Sequence, residues 1–232
     1  MIKKVKKTIP KPNLKLEKEL RREGYLLVAG VDEAGRGAWA GPVVAAAVIL
    51  PLISRYYGIN DSKLLTSNQR EEILLKIYEV ALDIGVGIVE NEELDMMGVG
   101  QASYLAMRRA VDNLTIKPNF VLVDGFKVGF SGVSSWGIID GDRKSVSIAA
   151  ASIVAKVARD RMMEDIDKRD PRYGFCTNKG YGTAFHQGRI VEQGVCEWHR
   201  RSFKPIQAHC AKQANLEISS KMAIDAVTHI GV

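Results

Sequence analysis

The chain has 232 residues, of which 46% are apolar and 26% charged, as in a globular protein with an ordinary core. Three cysteines that form no CxxC pair argue against a disulfide framework or a zinc site, and a net charge of +6 would suggest nucleic-acid binding. That charge resides in residues 1–24, which hold nine Lys or Arg and three Glu, so the rest of the chain is neutral overall.

The first ten residues lack the apolar stretch of a secretory signal. The longest apolar run, 43–53, is too short to span a bilayer. We therefore expect a cytoplasmic protein without membrane association.

The first half of the chain predicts two strands followed by helices. Segment 42–50 is continuously apolar, as in a strand buried on both faces. Thr66 and Gln69 have the spacing of a capping box, and Asn91 stands where a second helix would be capped. In chain order we expect a disordered arm at 1–12, a surface helix at 14–23, strands at 25–32 and 42–50, a helix after Thr66, a strand at 83–89 and a helix from Asn91 to about Val111.

The second half predicts strands that alternate with helices. Two short apolar strands are expected at 120–123 and 136–139, and a long helix at 147–167 is small and apolar in its first half. Thr183 can cap a further helix that ends near Gly194. Hairpin strands followed by βαβ units are typical of a mixed sheet covered by helices, so we predict an α/β fold.

Acidic residues stand at the ends of three predicted strands. Asp32 and Glu33 end the first strand, Asp124 ends the strand at 120–123, and Asp142 follows the strand at 136–139. Strand ends converge on one edge of an open α/β sheet, so negative charge would concentrate there unless a cation compensates it. Carboxylate oxygens suit Mg²⁺ or Mn²⁺.

Two other interpretations of these acids stay open. Acids at strand ends also serve as turn and capping residues, and each could pair with its own Arg or Lys. Consecutive strand residues point to opposite faces, so we expect the strand to end or bulge at Glu33 if it shares a site with Asp32. Asp32 would then be the central, bridging ligand. No GxGxxG motif is present, which disfavours a dinucleotide loop.

Eight stretches within residues 26–205 occur in the order found in one known family, ribonuclease HII, which the chain resembles. Members of that family nick RNA strands paired with or embedded in DNA. The stretches are GVDEAGRG (30–37), AGPVVAAAVIL (40–50), DSKLL (61–65), LVDG (122–125), GD (141–142), SIAAASIVAKVARDR (147–161), NKGYGT (178–183) and HRRSF (199–203).

The resemblance implies a ribonuclease H-like fold, with a central mixed five-stranded sheet flanked by helices and a helical C-terminal part. A basic arm and short helix (1–24) would precede a catalytic domain (25–206) and a tail of unknown role (207–232). The arm would add nonspecific affinity for nucleic acid or only aid solubility.

The family resemblance also implies Mg²⁺ or Mn²⁺ as cofactor, and Asp140 and Asp160 are rivals for the fourth acid. Asp140 belongs to the strand end, and Asp160 lies in an Arg-Asp-Arg run that suits salt bridges. The catalytic and metal-binding acids carried over by motif are Asp32, Glu33, Asp124 and Asp142.

Substrate recognition is implied for two further motifs. The segment Gly35, Arg36 and Gly37 would contact the ribose 2′-hydroxyl, because glycines let the backbone approach a sugar, although a tight turn with positive φ would also need them. Tyr181 would pack against the deoxyribose after the ribonucleotide. Candidate phosphate contacts are Lys179, Arg143, Lys144, Arg200 and Arg201, whereas the four histidines are expected to be structural.

The implied reaction is hydrolysis of the phosphodiester 5′ to a ribonucleotide by two metal ions about 4 Å apart, leaving a 3′-hydroxyl and a 5′-phosphate. The substrates would be RNA–DNA hybrids and duplex DNA containing ribonucleotides, and we expect a monomer without an obligate protein partner. Competing hypotheses are another carboxylate-metal nuclease of this fold, such as a junction resolvase, and a non-catalytic nucleic-acid-binding protein. A nucleotide-binding metabolic enzyme is disfavoured by the missing phosphate loop.

Overall fold

The computed structural model describes residues 11–52, 59 and 65–214. Most of the predicted arm, most of the DSKLL stretch and the end of the tail lie outside these residues. The described chain is built around one sheet, as predicted. Its strands are β1 (Val28–Ala34), β2 (Val43–Ile49), β3 (Asp83–Val89), β4 (Phe120–Asp124) and β5 (Ser134–Ile138).

The sheet is mixed and has the order β3-β2-β1-β4-β5. β2 pairs antiparallel with both β1 and β3, whereas β4 pairs parallel with both β1 and β5. The predicted five-stranded mixed sheet is therefore confirmed. Every residue of β2 is buried, as its continuously apolar sequence indicated.

Helices cover both faces of this sheet and form the C-terminal part. Short 3-10 turns occupy Gly141–Arg143 and Pro171–Tyr173, and residues 204–214 are helical. The α-helices are α1 (Lys15–Arg22), α2 (Ser67–Val80), α3 (Asn91–Met97), α4 (Val99–Asp112), α5 (Val146–Arg169), α6 (Phe175–Asn178) and α7 (Ala184–Gln193).

The two faces are packed by helices whose sheet-facing residues are small. Ala102, Ala106 and Ala110 of α4 join one buried cluster, and the apolar first half of α5 joins a second cluster with β2 and α2. A Cβ added at Gly30 would stand 2.1 Å from the carbonyl carbon of Ser147, so glycine allows α5 to lie close to β1. This approach brings α5 over the carboxyl end of β1.

α1 is the predicted short helix, and one of its faces is buried. Leu20 is fully buried against β1 and β4. Glu17 accepts hydrogen bonds from the Ser145 hydroxyl at 2.6 Å and from the Ser147 amide at 3.0 Å. The helix therefore docks on the start of α5.

The predicted single helix from Asn91 to Val111 is wrong, because the chain forms α3 and α4 with a break at Gly98. Gly98 has a φ of +82°, which ends the first helix and begins the second. Asn91 is not the cap; it lies inside α3, and its side-chain amide donates to the Glu197 carbonyl at 2.8 Å. The capping box at Thr66 and the cap at Thr183 are confirmed.

The C-terminal part packs against the second half of α5. Met163 and Ile166 of α5 form a buried cluster with Tyr173, Phe175 and Ile190. None of the helices within 11–52 and 65–214 combines the length and the apolarity that a bilayer span requires.

Candidate active site

The carboxyl ends of β1 and β4 open into one pocket of about 260 Å³. Both acidic and basic side chains line it, together with the Gly-Arg-Gly segment that follows β1. The lining includes Asp32, Glu33, Asp124, Gly35, Arg36, Gly37, Arg70, Ser152, Lys156 and Tyr181.

Asp32 and Glu33 reach the same pocket without a bulge in the strand, so the expected end or bulge at Glu33 is wrong. β1 stays paired with β2 through Ala34, with Glu33 opposite Ala45. Its pairing with β4 ends one residue before Asp32, at Val31. The two acids therefore stand beyond the β1–β4 ladder, where β1 is paired only with β2.

The acids of this pocket repel each other. Burial raises the pKa of Asp32 well above its ordinary value, and the nearby charges of Glu33 and Asp124 raise it further. Burial also raises the pKa of Glu33, with Arg36 opposing this and Asp124 adding to it. A cation bound between these carboxylates would relieve both effects.

Asp142 lies in the turn beside Asp124. The Gly141 amide donates to Asp124 Oδ1 at 2.7 Å, and Asp142, the next residue, is only 2% exposed. The rival Asp140 is exposed and has a left-handed backbone conformation, with a φ of +53°. The rival Asp160 accepts from Lys156 at 2.6 Å, which confirms its predicted salt bridge.

These acids have the donor chemistry of a divalent-cation site, since carboxylate oxygens are hard ligands. Within the residues that the structure describes, however, no group of three or more Asp, Glu, His or Cys residues is arranged so that it could hold a metal ion. The pocket thus brings together three of the four acids predicted to bind Mg²⁺ or Mn²⁺, Asp32, Glu33 and Asp124, but it does not form a closed cage.

The two glycines of the Gly-Arg-Gly segment differ in their surroundings. Gly35 has a φ of +89°, and a Cβ added there would stand 1.9 Å from Nε of Arg159. Turn geometry and packing therefore both require Gly35. Gly37 does not have a positive φ, and no atom of the described part of the chain lies within 4 Å of a Cβ added there. Neither turn geometry nor packing accounts for Gly37.

Arg200, predicted as a phosphate contact, is fully buried, so that prediction is wrong. Its guanidinium donates to backbone carbonyls of the loop that follows β1 and thereby satisfies these buried acceptors. The acceptors are Gly41 at 2.9 Å, Ala38 at 2.7 Å, Arg36 at 3.1 Å and Pro42 at 2.9 Å.

Arg159 is a second buried guanidinium, and the sequence analysis missed it. It donates to the carbonyls of Pro42, Ala40 and Lys179 and thereby joins the loop after β1 to the loop before Tyr181. A signal was available, because Arg159 precedes the buried Met163 by four residues and so lies on the buried stripe of α5.

The two residues of the NKGYGT motif that were predicted to contact the substrate have different surroundings. Tyr181 lines the pocket with 38% of its surface exposed, and its ring centroid is 5.5 Å from the Arg159 guanidinium carbon. The ammonium group of Lys179 points instead to Glu164 and to the Cys176 carbonyl, each at 2.6 Å. A phosphate at Lys179 would compete with these partners.

The remaining basic residues predicted to contact phosphate differ in their surroundings. The Lys144 ammonium donates to the Ile139 carbonyl at 2.6 Å. Arg201 is exposed, and its backbone amide donates a hydrogen bond to the Asp95 carboxylate at 2.6 Å. Arg143 lies in the turn that contains Asp142.

Known proteins similar to this chain share both its sequence and its fold. Residues 29–206 match the family model for ribonuclease HII. A ribonuclease HII of Desulfitobacterium hafniense (strain DSM 10664 / DCB-2) is 50% identical over 194 residues, which cover 84% of this chain and 75% of that protein. One of Syntrophus aciditrophicus (strain SB) is 51% identical over 188 residues, covering 81% of this chain and 89% of that protein.

A solved structure supports the same assignment. The crystal structure of ribonuclease H2 from Pyrococcus horikoshii OT3 superposes with a TM-score of 0.67 and 27% identity, covering 79% of this chain and 96% of that one. The resemblance and the ribonuclease H-like fold predicted from the sequence are confirmed.

Proposed function

The chain belongs to the ribonuclease HII family, endoribonucleases that act on RNA paired with DNA, and on that premise we propose the bond that it cleaves. The bond is the phosphodiester 5′ to a ribonucleotide, within a hybrid or within duplex DNA, and the products are a 3′-hydroxyl and a 5′-phosphate. One observation carries the proposal: a single pocket joins the acids at the ends of β1 and β4 to Gly35–Gly37 and Tyr181.

The acids of the pocket are proposed to hold the cofactor, Mg²⁺ or Mn²⁺, with Asp32 as the central ligand. When bound, two such ions would supply the positive charge that favours a hydroxide nucleophile and stabilises the leaving 3′ oxygen. The other proposed ligands are Glu33, Asp124 and Asp142. Burial, followed by the charges of neighbouring acids, raises the pKa values of Asp32 and Glu33, which supports these two and Asp124 as ligands. The support for Asp142 is its buried place beside Gly141, whose amide donates to Asp124.

The chain's own residues would orient the substrate around this centre. Arg36 and Lys156 line the pocket beside the acids, and their charges suit a phosphodiester. A bound phosphate would compete with their carboxylate partners, which are Glu33 for Arg36 and Asp160 for Lys156. The open space above Gly37 would admit a ribose, whose 2′-hydroxyl can bond to the backbone of the Gly-Arg-Gly segment. The exposed Tyr181 ring would pack on the next sugar and disfavour a 2′-hydroxyl there.

End-labelled duplexes test the bond that is cleaved. We expect incision 5′ to a single ribonucleotide and within a ribonucleotide block, with Mg²⁺ or Mn²⁺ and not after chelation, and no incision of all-DNA duplex. Incision of the all-DNA duplex at a comparable rate would favour another carboxylate-metal nuclease of this fold. Tight binding without incision under any metal would favour a non-catalytic binding protein.

Asp124→Asn tests the acidic centre. Asparagine can still accept the Gly141 amide, so we expect a folded protein that binds substrate and loses nearly all cleavage. The matched control is Asp140→Asn, because Asp140 lies in the left-handed conformation that asparagine tolerates. Substantial cleavage by Asp124→Asn would remove this residue from the proposed metal site. The expectations of a cytoplasmic, monomeric enzyme without an obligate partner stay predictions.

A further inference from the structure

The loop after β1 and the loop that carries Tyr181 are joined by backbone hydrogen bonds. The Trp39 amide donates to the Gly180 carbonyl at 2.8 Å, and the Arg200 amide donates to the Trp39 carbonyl at 2.8 Å. Residues 39–41 are thus held between the Tyr181 loop and the loop 196–200. The Tyr181 loop is part of this arrangement, and the Gly35–Gly37 segment lies directly before residues 39–41 in the chain.

Two buried histidines connect the outer two of these loops. His186 of α7 is 0% exposed and His199 is 1% exposed. Their Nε2 atoms lie 3.0 Å apart. His186 Nδ1 lies 2.9 Å from the Tyr181 carbonyl oxygen, and His199 Nδ1 lies 3.0 Å from the Cys196 backbone nitrogen. Three hydrogen bonds therefore run in series from Cys196 to Tyr181.

The two ends of this series determine its proton positions. A backbone amide can only donate and a carbonyl can only accept. His199 therefore accepts at Nδ1 and carries its proton on Nε2, from which it donates to His186. His186 accepts at Nε2 and carries its proton on Nδ1, from which it donates to Tyr181. A proton added to either ring would convert its accepting nitrogen into a donor. Two N–H groups would then face each other, and that hydrogen bond would be lost.

The surroundings of the pair keep both rings neutral. The Tyr173 ring meets His199 edge-on at 4.8 Å between centroids, and the Phe175 ring meets His186 edge-on at 5.3 Å. Burial lowers the pKa of both histidines. The Tyr181 carbonyl also accepts the Thr183 amide at 2.8 Å, so two donors fix its direction.

We propose that His186 and His199 are positioning residues for Tyr181, which set the place of its ring at the pocket and thereby the preference for a deoxyribose after the ribonucleotide. The proposal rests on the function proposed above. The histidines act through the Tyr181 carbonyl and do not touch the substrate. Their effect should therefore appear in the choice between substrates and not in the cleavage step itself.

The proton positions can be measured without any substrate. In ¹⁵N–¹H correlation spectra of the wild-type protein at pH 7, we expect His186 to be neutral with its proton on Nδ1 and His199 to be neutral with its proton on Nε2. A charged ring, or a His186 proton on Nε2, would overturn the proposed series. This measurement does not depend on the enzymatic activity.

Two matched variants separate positioning from stability. In His186→Asn the side-chain amide lies near the position of the histidine Nδ1 and can still donate to the Tyr181 carbonyl. In His186→Gln the amide lies near the position of the histidine Nε2 and keeps only the contact with His199. Each variant loses one hydrogen bond, so we expect similar melting temperatures. His209→Gln is the control, because His209 lies outside the series and its buried Nε2 has no hydrogen-bond partner among the residues that the structure describes.

Kinetics on two substrates decide the proposal. The quantity is the ratio of kcat/KM for a single ribonucleotide followed by DNA to that for continuous RNA. We expect His186→Gln to lower this ratio about tenfold, towards the value of Tyr181→Ala, mainly through KM for the junction, whereas His186→Asn and His209→Gln stay near wild type.

Equal ratios for the asparagine and glutamine variants would overturn the positioning role, and so would an unchanged ratio for Tyr181→Ala. A wild-type protein that cleaves neither substrate would refute the proposed function instead, whatever the spectra show.

Discussion

Replacing Arg200 by lysine keeps the positive charge but removes the planar guanidinium that organises the loop after β1. Arg200 is fully buried, and a lysine ammonium presents its donors from one point. It cannot reach acceptors that are spread along a loop. The carbonyls that Arg200 contacts are those of Arg36, Ala38, Gly41 and Pro42.

The size of the effect follows from the bonds lost. A hydrogen bond from a charged donor contributes about 1.5–3 kcal/mol, and a buried carbonyl left without a partner costs a comparable amount. At the lower end of this range, loss of two of the four bonds would reduce the free energy of unfolding by about 3 kcal/mol. For a chain of this size the melting temperature would fall by about 6–12 °C.

The matched control is Arg201→Lys at the adjacent, exposed position, where we expect a change within about 0.5 kcal/mol. Urea unfolding of both variants measures the difference, with incision of a single-ribonucleotide duplex as a second readout. Arg200→Lys should also lower incision, because the Gly35–Gly37 segment loses its support. An Arg200→Lys variant as stable as wild type, with weaker and more salt-sensitive substrate binding, would restore Arg200 as a phosphate contact and refute this reasoning.

Two further predictions concern glycines and acid stability. Gly35→Ala should lower the free energy of unfolding by several kcal/mol, because the added Cβ would collide with Arg159. Gly37→Ala should melt near the wild-type temperature but lose ribonucleotide incision. Equal melting temperatures of the two variants would contradict this prediction. Burial and His186 lower the pKa of His199 to about 4, below the unfolded value of about 6.5. The unfolded chain therefore binds more protons between these values, so stability is fully present above pH 6.5 and falls by about 3 kcal/mol towards pH 4. Urea unfolding at pH 7 and pH 5 measures this loss of stability. If a His199→Gln variant lost as much stability between these pH values as the wild type, the loss could not be attributed to His199.

The acids of the pocket were predictable because local signals mark them. Asp32 follows the apolar start of its strand three residues before Gly35, Asp124 ends its strand directly before Gly125, and parallel neighbouring strands must end at the same edge of the sheet. The capping of α2 at Thr66 was predictable for the same reason, since a capping box lies within four residues. The break at Gly98 was missed, because a glycine in a helical pattern has a positive φ only where the packing of its neighbours requires it.

The role of the buried cations and histidines depended on the fold. Arg200 has the same sequence surroundings as the exposed Arg201, and its acceptors lie about 160 positions earlier in the chain. His186 and His199 are 13 residues apart, which matches no spacing for a pair on one helix. Periodicity, caps and strand ends are set by neighbours within a turn or two, so the sequence determined them. Whether a charge or an imidazole is buried depends on partners that only the tertiary structure brings together.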